Sequence, residues 1–204
     1  MEILYADTSV VVCIKPVGVS SEEGENTMPS LLREALGGSV FPVHRLDLNV
    51  GGVMAYARTA KAAAALSRAI QENRLKKEYL AVVHGTPEPK EAVLEDFLFK
   101  DAAKNKVFVV KRPRKGAKTA KLSYRVLSSQ ADRSLVQIEL YTGRSHQIRV
   151  QFASRKYPLF GDGKYGAKDH CKSPALWSFR LTFPHPDSGK LLTFEKQPEG
   201  EIWN

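Results

Sequence analysis

Apolar residues recur along this chain with two spacings, and the change from one to the other divides it. The helical spacing is clearest over residues 59–73, where Ala62, Ala63, Leu66, Ala69 and Ile70 share one face and Thr59 stands where an N-cap belongs. A shorter helix is predicted from Pro29 to Leu36, with Leu31, Leu32, Ala35 and Leu36 in register and Gly37-Gly38 to end it. The β-branched run Val10 to Ile14 reads as a strand stopped by Lys15-Pro16-Val17-Gly18, and Gly51 to Ala57 reads as another. Beyond the long helix the pattern turns to strands: Glu78 to His84, Ala92 to Phe99, Val107 to Lys111, Ala120 to Leu127 and Leu135 to Tyr141. Residues 147–152 fit both periods, since Ile148, Val150 and Phe152 alternate while Ile148, Phe152 and Ala153 also suit a helix. Successive strands without intervening helices predict an α+β fold with a largely antiparallel sheet, not alternating βαβ units.

Composition narrows the class. The chain has 204 residues, 43% of them hydrophobic, enough for a real core. Its 31 lysines and arginines against 22 acids give a net charge of +9, which favours a polyanionic partner. Cys13 and Cys171 lie far apart, and the five histidines lack metal-ligand spacing, so neither structural zinc nor a disulfide is expected. The amino-terminal residues do not form a signal peptide, and no apolar run has membrane-spanning length, so a cytoplasmic protein is expected. The most basic stretch is Lys111 to Lys118, with Lys111, Arg112, Arg114, Lys115 and Lys118 around Pro113 and Gly116. It reads as a mobile loop, either a solvated hairpin tip or a contact for phosphates.

Two runs carry chemistry. His44-Arg45-Leu46-Asp47 sets a carboxylate beside a guanidinium. A carboxylate that attacks carbon has to stay ionised, and a fixed cation nearby keeps it so. Gly143-Arg144-Ser145-His146-Gln147-Ile148-Arg149 offers two arginines, a histidine and a glutamine with no acid, which suits RNA phosphates and the carbonyls of a uridine. Together they point to an acidic nucleophile in a basic, nucleic-acid-binding cleft.

These runs stand in order with Lys15-Pro16-Val17-Gly18, Lys77-Glu78-Tyr79-Leu80-Ala81-Val82-Val83-His84-Gly85, Pro158-Leu159-Phe160-Gly161-Asp162 and Tyr165-Gly166. In this the chain resembles the RluA-type pseudouridine synthases over nearly its whole length. The resemblance implies a mixed, mostly antiparallel sheet with flanking helices and a central basic cleft, with residues 147–152 helical. It implies isomerisation of a uridine in ribosomal or transfer RNA, with no metal or organic cofactor. Asp47 would be the nucleophile at the sugar, whether it adds to C1′ or removes the C2′ proton. Arg144 would pair with that carboxylate, unless it is a surface arginine on phosphate. Tyr79 would stack on the flipped base and help remove the C5 proton, unless it is simply core. Ile148 would pack under the base or belong to the core. Arg45 would fill the gap left by the flipped uridine. His44 and Gln147 would position RNA or satisfy local backbone, and Arg149 would join the RNA contacts.

In one place the chain departs from the family pattern. After His44-Arg45-Leu46-Asp47 the family carries two variable residues and then Thr-Ser-Gly; here Leu48-Asn49 precede Val50-Gly51-Gly52. Both hydroxyls are gone, which bears on the rigidity of the Asp47 loop. The expectation is a single catalytic domain over residues 1–204, without a separate N-terminal RNA-binding domain, acting as a monomer. The alternatives are an RNA-binding or RNA-folding module with weak catalysis on the same scaffold, favoured by Val50-Gly51-Gly52, and an enzyme that cleaves free nucleosides. The charge argues against the latter, because a small neutral substrate has no need of it.

Overall fold

The computed structural model describes residues 1–203 and divides into two compact units. The first comprises residues 1–77 and 177–198, the second residues 78–176 and 199–203.

In the first unit β1 (Glu2–Ala6) and β2 (Val10–Lys15) form a hairpin, followed by helix α1 (Met28–Leu36), the short β3 (Phe41–Pro42), β4 (Gly51–Ala57) and helix α2 (Ala60–Gln71). Thr59 caps α2 by accepting the Ala62 N–H at 3.1 Å, the cap its hydroxyl predicts. Thr27 N–H donates to Ser30 Oγ at the start of α1.

The second unit is built on β5 (Lys76–His84), β6 (Glu91–Asp101), β7 (Lys106–Val110), β8 (Ala117–Gln130) and β9 (Arg133–Leu140), in the order β5-β9-β8-β6-β7, with helix α3 (Gln147–Ala153). The β6–β7, β6–β8 and β8–β9 pairings are antiparallel. The chain then supplies β10 (Leu176–Pro184) and β11 (Leu191–Glu195) to the first unit, where the strand order is β1-β2-β4-β10 with β11 on β10 and β3 on β4. There β10 runs parallel to β4, and the β2–β4 and β10–β11 pairings are antiparallel.

All seven residues of β4 are buried. On one face Val53, Ala55 and Ala57 pack with Val10 and Val12, with Leu181 and Phe183 of β10, and with the Ala62, Leu66 and Ala69 stripe of α2. On the other, the Tyr56 hydroxyl donates to the Ser21 carbonyl at 3.3 Å. A strand covered on both faces has no polar alternation, which explains its unbroken apolar sequence. In the second unit Leu98, Val107 and Ala120 pack on Val150 of α3, so the residues between them on each strand face the other way. The ambiguous residues 147–152 are thus helical, and all six are buried.

Candidate functional site

Asp47 lies in the loop joining β3 to β4 and is partly buried. The backbone is fixed on both sides of it. Ser21 Oγ donates to the Leu46 carbonyl at 2.9 Å and accepts the Leu46 N–H at 3.2 Å. Beyond Asp47, the Leu48 carbonyl accepts from Lys15 Nζ at 3.1 Å and from the Gly18 N–H at 2.9 Å. The Val50 N–H closes the turn onto the Asp47 carbonyl at 3.0 Å.

Lys15 is the unexpected member. It ends β2 with a fully buried side chain whose ammonium donates to the carbonyls of Pro16 (2.9 Å), Val19 (2.7 Å) and Leu48. Burial pushes its pKa down to about 8, and the negative charge of Asp47 resists that shift. A buried ammonium satisfied by three carbonyls therefore holds the Asp47 loop and adds positive potential near the carboxylate.

His44 and Arg45 part company. His44 is buried, and its Nε2 accepts the Ala55 N–H at 3.1 Å, so the loop is tied to β4. Burial, helped by the charge of Lys77, pushes His44 down to about 3, and the neutral ring offers no charge to a phosphate. Arg45 is exposed and pairs with Glu22 at 2.8 Å, both side chains more than half accessible. Such a pair is worth about 0–1 kcal/mol, so the guanidinium is easily released.

Of the two missing hydroxyls, the one at Gly51 has a packing counterpart, and the retained Gly52 is as closely packed. A Cβ on Gly51 would stand 2.5 Å from Cζ3 of Trp177, and one on Gly52 would fall within 2.2 Å of the Ser178 carbonyl oxygen. Gly52 also has φ +124°, a conformation that favours glycine. Trp177 is anchored by an Nε1–H bond to the Lys196 carbonyl at 2.8 Å. The loop is thus tightened by β10 on one side and by Lys15 on the other.

The second unit holds the remaining residues. Tyr79 stands on β5 and is 5% exposed. Its neighbour Glu78 projects from the opposite face and accepts from Gln137 Nε2 at 2.7 Å. Arg144 lies in the turn before α3, exposed, with Nε donating to the Thr119 carbonyl at 2.9 Å. That turn is built around Gln147. Its Oε1 accepts the Thr142 hydroxyl at 2.8 Å and the Arg144 N–H at 3.0 Å, and its Nε2 donates to the Lys121 carbonyl at 3.1 Å. Arg149 is buried against Asp162, with Nε and Nη2 on the two carboxylate oxygens at 2.7 and 2.8 Å. Tyr165 joins this corner: its hydroxyl accepts the Val107 N–H at 3.0 Å and shares a 2.8 Å hydrogen bond with His146 Nδ1. Lys111, Arg112, Arg114 and Lys115 form the exposed β7–β8 loop, and Lys118 follows at the start of β8.

The structure therefore gathers His44, Arg45 and Asp47 in one loop of the first unit. It sets Arg144, Gln147, Ile148 and Arg149 on consecutive turns of the second. His44 and Gln147 hydrogen-bond to local backbone, and Arg149 is buried on Asp162. Ile148, 3% exposed, belongs to the packed face of α3. Lys15, Ser21 and Asp162 had no assigned role in the sequence. The signals for Lys15 were its place at the head of the Lys15-Pro16-Val17-Gly18 run and a charge closing an otherwise apolar strand.

A family model described as RNA pseudouridylate synthase matches residues 9–154. The chain is 34% identical to ribosomal large subunit pseudouridine synthase D of Neisseria meningitidis serogroup B, over 100% of this chain and 60% of that protein. It is 32% identical to the dual-specificity RNA pseudouridine synthase RluA of Escherichia coli K12, over 95% of this chain and 91% of the relative. It thus spans about 60% of the length of the Neisseria relative, and nearly all of the Escherichia one. Among solved structures, human RNA pseudouridylate synthase domain containing 4 superposes with a TM-score of 0.80 at 24% identity, covering 96% of this chain and 88% of that one. Human RNA pseudouridylate synthase domain containing 1 gives 0.82 at 22% identity, covering 97% and 83%. At these identities the two structures speak for the fold alone.

Proposed function

This chain belongs to the RluA-type family of RNA pseudouridine synthases, and on that premise we propose that it isomerises uridine to pseudouridine in RNA. The observation that carries the reading is the construction around Asp47. A carboxylate is held in a loop whose backbone is fixed at Leu46 and at Leu48, above a buried ammonium that feels its charge.

The reaction breaks the N1–C1′ bond of uridine, rotates the base, and forms a C5–C1′ bond. The C5 proton is lost and N1 gains one, so there is no net redox change and no electron carrier is needed. Asp47 acts on the sugar, either by adding to C1′ or by taking the C2′ proton. Both routes need an ionised carboxylate held close to a sugar that becomes electron-poor, as in glycoside hydrolysis. A rigid loop keeps the carboxylate placed while the base turns. Tyr79 serves the base and its C5 proton, and Arg144 is the catalytic cation that the family resemblance assigns. Arg45, released from its exposed pair with Glu22, fills the space the flipped uridine leaves.

The substrate is ribosomal or transfer RNA. The names of the Neisseria and Escherichia relatives support an RNA target, and the chain's +9 charge fits a polyanion. No helix among the described residues is long and apolar enough to cross a membrane, and on this reading the protein works with its RNA in the cytoplasm, as a monomeric catalytic domain. The alternative of an RNA-binding module with weak catalysis rested on the hydroxyls lost at Val50 and Gly51, and at Gly51 the approach of Trp177 accounts for the glycine.

The test is pseudouridine mapping of total RNA from cells lacking the gene, complemented with wild type or with Asp47→Asn. A site that disappears and returns only with wild type is expected, while the purified Asp47→Asn protein still binds RNA. Restoration of the site by Asp47→Asn would remove the aspartate from the mechanism.

A further inference from the structure

Resting on the RNA reading above, we propose that the β6–β7 end of the second unit is a stacking surface for an unpaired RNA strand, on the sheet face opposite α3. Leu98 and Val107 pack toward α3, so Phe97, Phe99 and Phe108 project from the other side. Phe99 and Phe108 are directly opposite in the β6–β7 ladder. Phe108 is 37% exposed, an unusual state for a phenylalanine on a rigid strand. The guanidinium of Arg114 lies 3.8 Å from the centre of the Phe99 ring, stacked on it and itself exposed. Lys106 Nζ, at the edge of this surface, stands 5.9 Å from the Phe108 ring centre and 5.4 Å from that of Tyr165.

Flat rings on neighbouring strands, one covered by a guanidinium plane and the other near a lysine, match what an unstacked base and its phosphate require. The bases stack on Phe108 and on the outer face of Arg114, and Lys111, Arg112 and Lys115 of the adjoining loop meet the backbone. Residues 102–131 contain no aspartate or glutamate.

The surface has an edge, and that edge selects the partner. Farther along the same face Glu95 pairs with Lys121, and beyond it a groove is lined by Glu78, Glu91 and Glu139 around Arg125. A flat anionic membrane laid on this face would have to meet those carboxylates. A single strand crossing only the β6–β7 end does not. Lys118 is registered with Leu98 and so emerges on the α3 side, outside this surface.

The experiment measures binding of the full-length protein to a fluorescein-labelled single-stranded RNA of about 12 nucleotides, long enough for one such site. The same RNA as a perfect duplex and vesicles of anionic phospholipid are run beside it. Phe108→Leu keeps the apolar bulk and removes the ring. It is expected to weaken single-strand binding about tenfold with an unchanged salt slope, since a ring neutralises no phosphate. Lys115→Ala is expected to flatten that slope by about 0.7 for the one lost contact. An unchanged affinity in Phe108→Leu, an equal loss on the duplex, or binding to vesicles without binding to RNA would each overturn the proposal. Pseudouridine formation by wild type is scored separately. Activity with Phe108→Leu binding like wild type rejects the surface and spares the enzyme. No activity with Phe108→Leu binding weakened rejects the enzyme and spares the surface.

Discussion

Two loops carry the nominated reactive groups, and each is built over one buried polar side chain. Beneath Asp47 that side chain is Lys15; beneath Arg144 it is Gln147. Each makes three hydrogen bonds: Lys15 ties the Leu48 carbonyl of the Asp47 loop to those of Pro16 and Val19, and Gln147 ties the Arg144 N–H to the Thr142 hydroxyl and the Lys121 carbonyl. The difference is charge. A carboxylate loop held by an ammonium gains a favourable field along with its geometry. An arginine loop held by a neutral amide gains the geometry without a second cation to repel the guanidinium. Each support complements the charge of the group it presents.

Removing the charged support gives the largest expected effect. Lys15→Met keeps the length and leaves the Pro16, Val19 and Leu48 carbonyls without their donor. The expected loss is about 3 kcal/mol or more in unfolding free energy, together with loss of turnover. The pH dependence has a definite sign. Because the folded value is depressed to about 8 from 10.5, the unfolded chain holds more protons between those limits. The cost of burying the charge is therefore fully present below pH 8 and is relieved as the pH rises toward 10.5. Denaturant titrations across that range should show wild type gaining on Lys15→Met. A constant difference between the two proteins would mean that Lys15 is not buried as a cation.

The opposite wall of the Asp47 loop is the next place to press. Gly51→Ser restores one hydroxyl of the family pattern but sets its Cβ against the Trp177 ring. A loss of about 1–3 kcal/mol is expected from overpacking. Trp177→Leu should relieve part of it, with a coupling of about 1 kcal/mol between the two sites. Purely additive losses would show that the glycine is not shaped by the tryptophan.

These supports also mark the limit of what the sequence alone discloses. The helices, the strands from residue 78 to 141 and the Thr59 cap were legible because their signals are local: spacing, breakers and a hydroxyl. The strand reading stopped at Tyr141. β10 shows alternation in Phe179, Leu181 and Phe183, but its place is set by pairing with β4, more than a hundred residues earlier. Asp47 stood out because it shares a short run with Arg45. Lys15 did not, because a lysine is usually solvated, and only tertiary burial against three carbonyls reveals its task. Gln147 and Arg149 show the same limit: their inward partners, the Lys121 carbonyl and Asp162, are distant in sequence and could not be matched with them before folding.

The smallest effect, and the finest test of the comparison, belongs to Gln147→Glu. The carboxylate keeps the two acceptor contacts, from the Thr142 hydroxyl and the Arg144 N–H, but it cannot donate to the Lys121 carbonyl 3.1 Å away. Burial and that facing oxygen disfavour the ionised form, so the introduced group should titrate above the ordinary glutamate value. Its folded pKa is raised, so the variant keeps its stability below the unfolded value and loses it as the pH rises through the folded one. Near pH 4 the protonated carboxyl donates as the amide did, and the variant should unfold close to wild type. Near pH 8 it should be less stable by about 1–2 kcal/mol, the cost of one buried polar contact left unmade. Paired melts at the two pH values decide it. An equal deficit at both would mean that the Arg144 turn does not depend on donation to Lys121, and that the neutral support is not the counterpart of Lys15 described above.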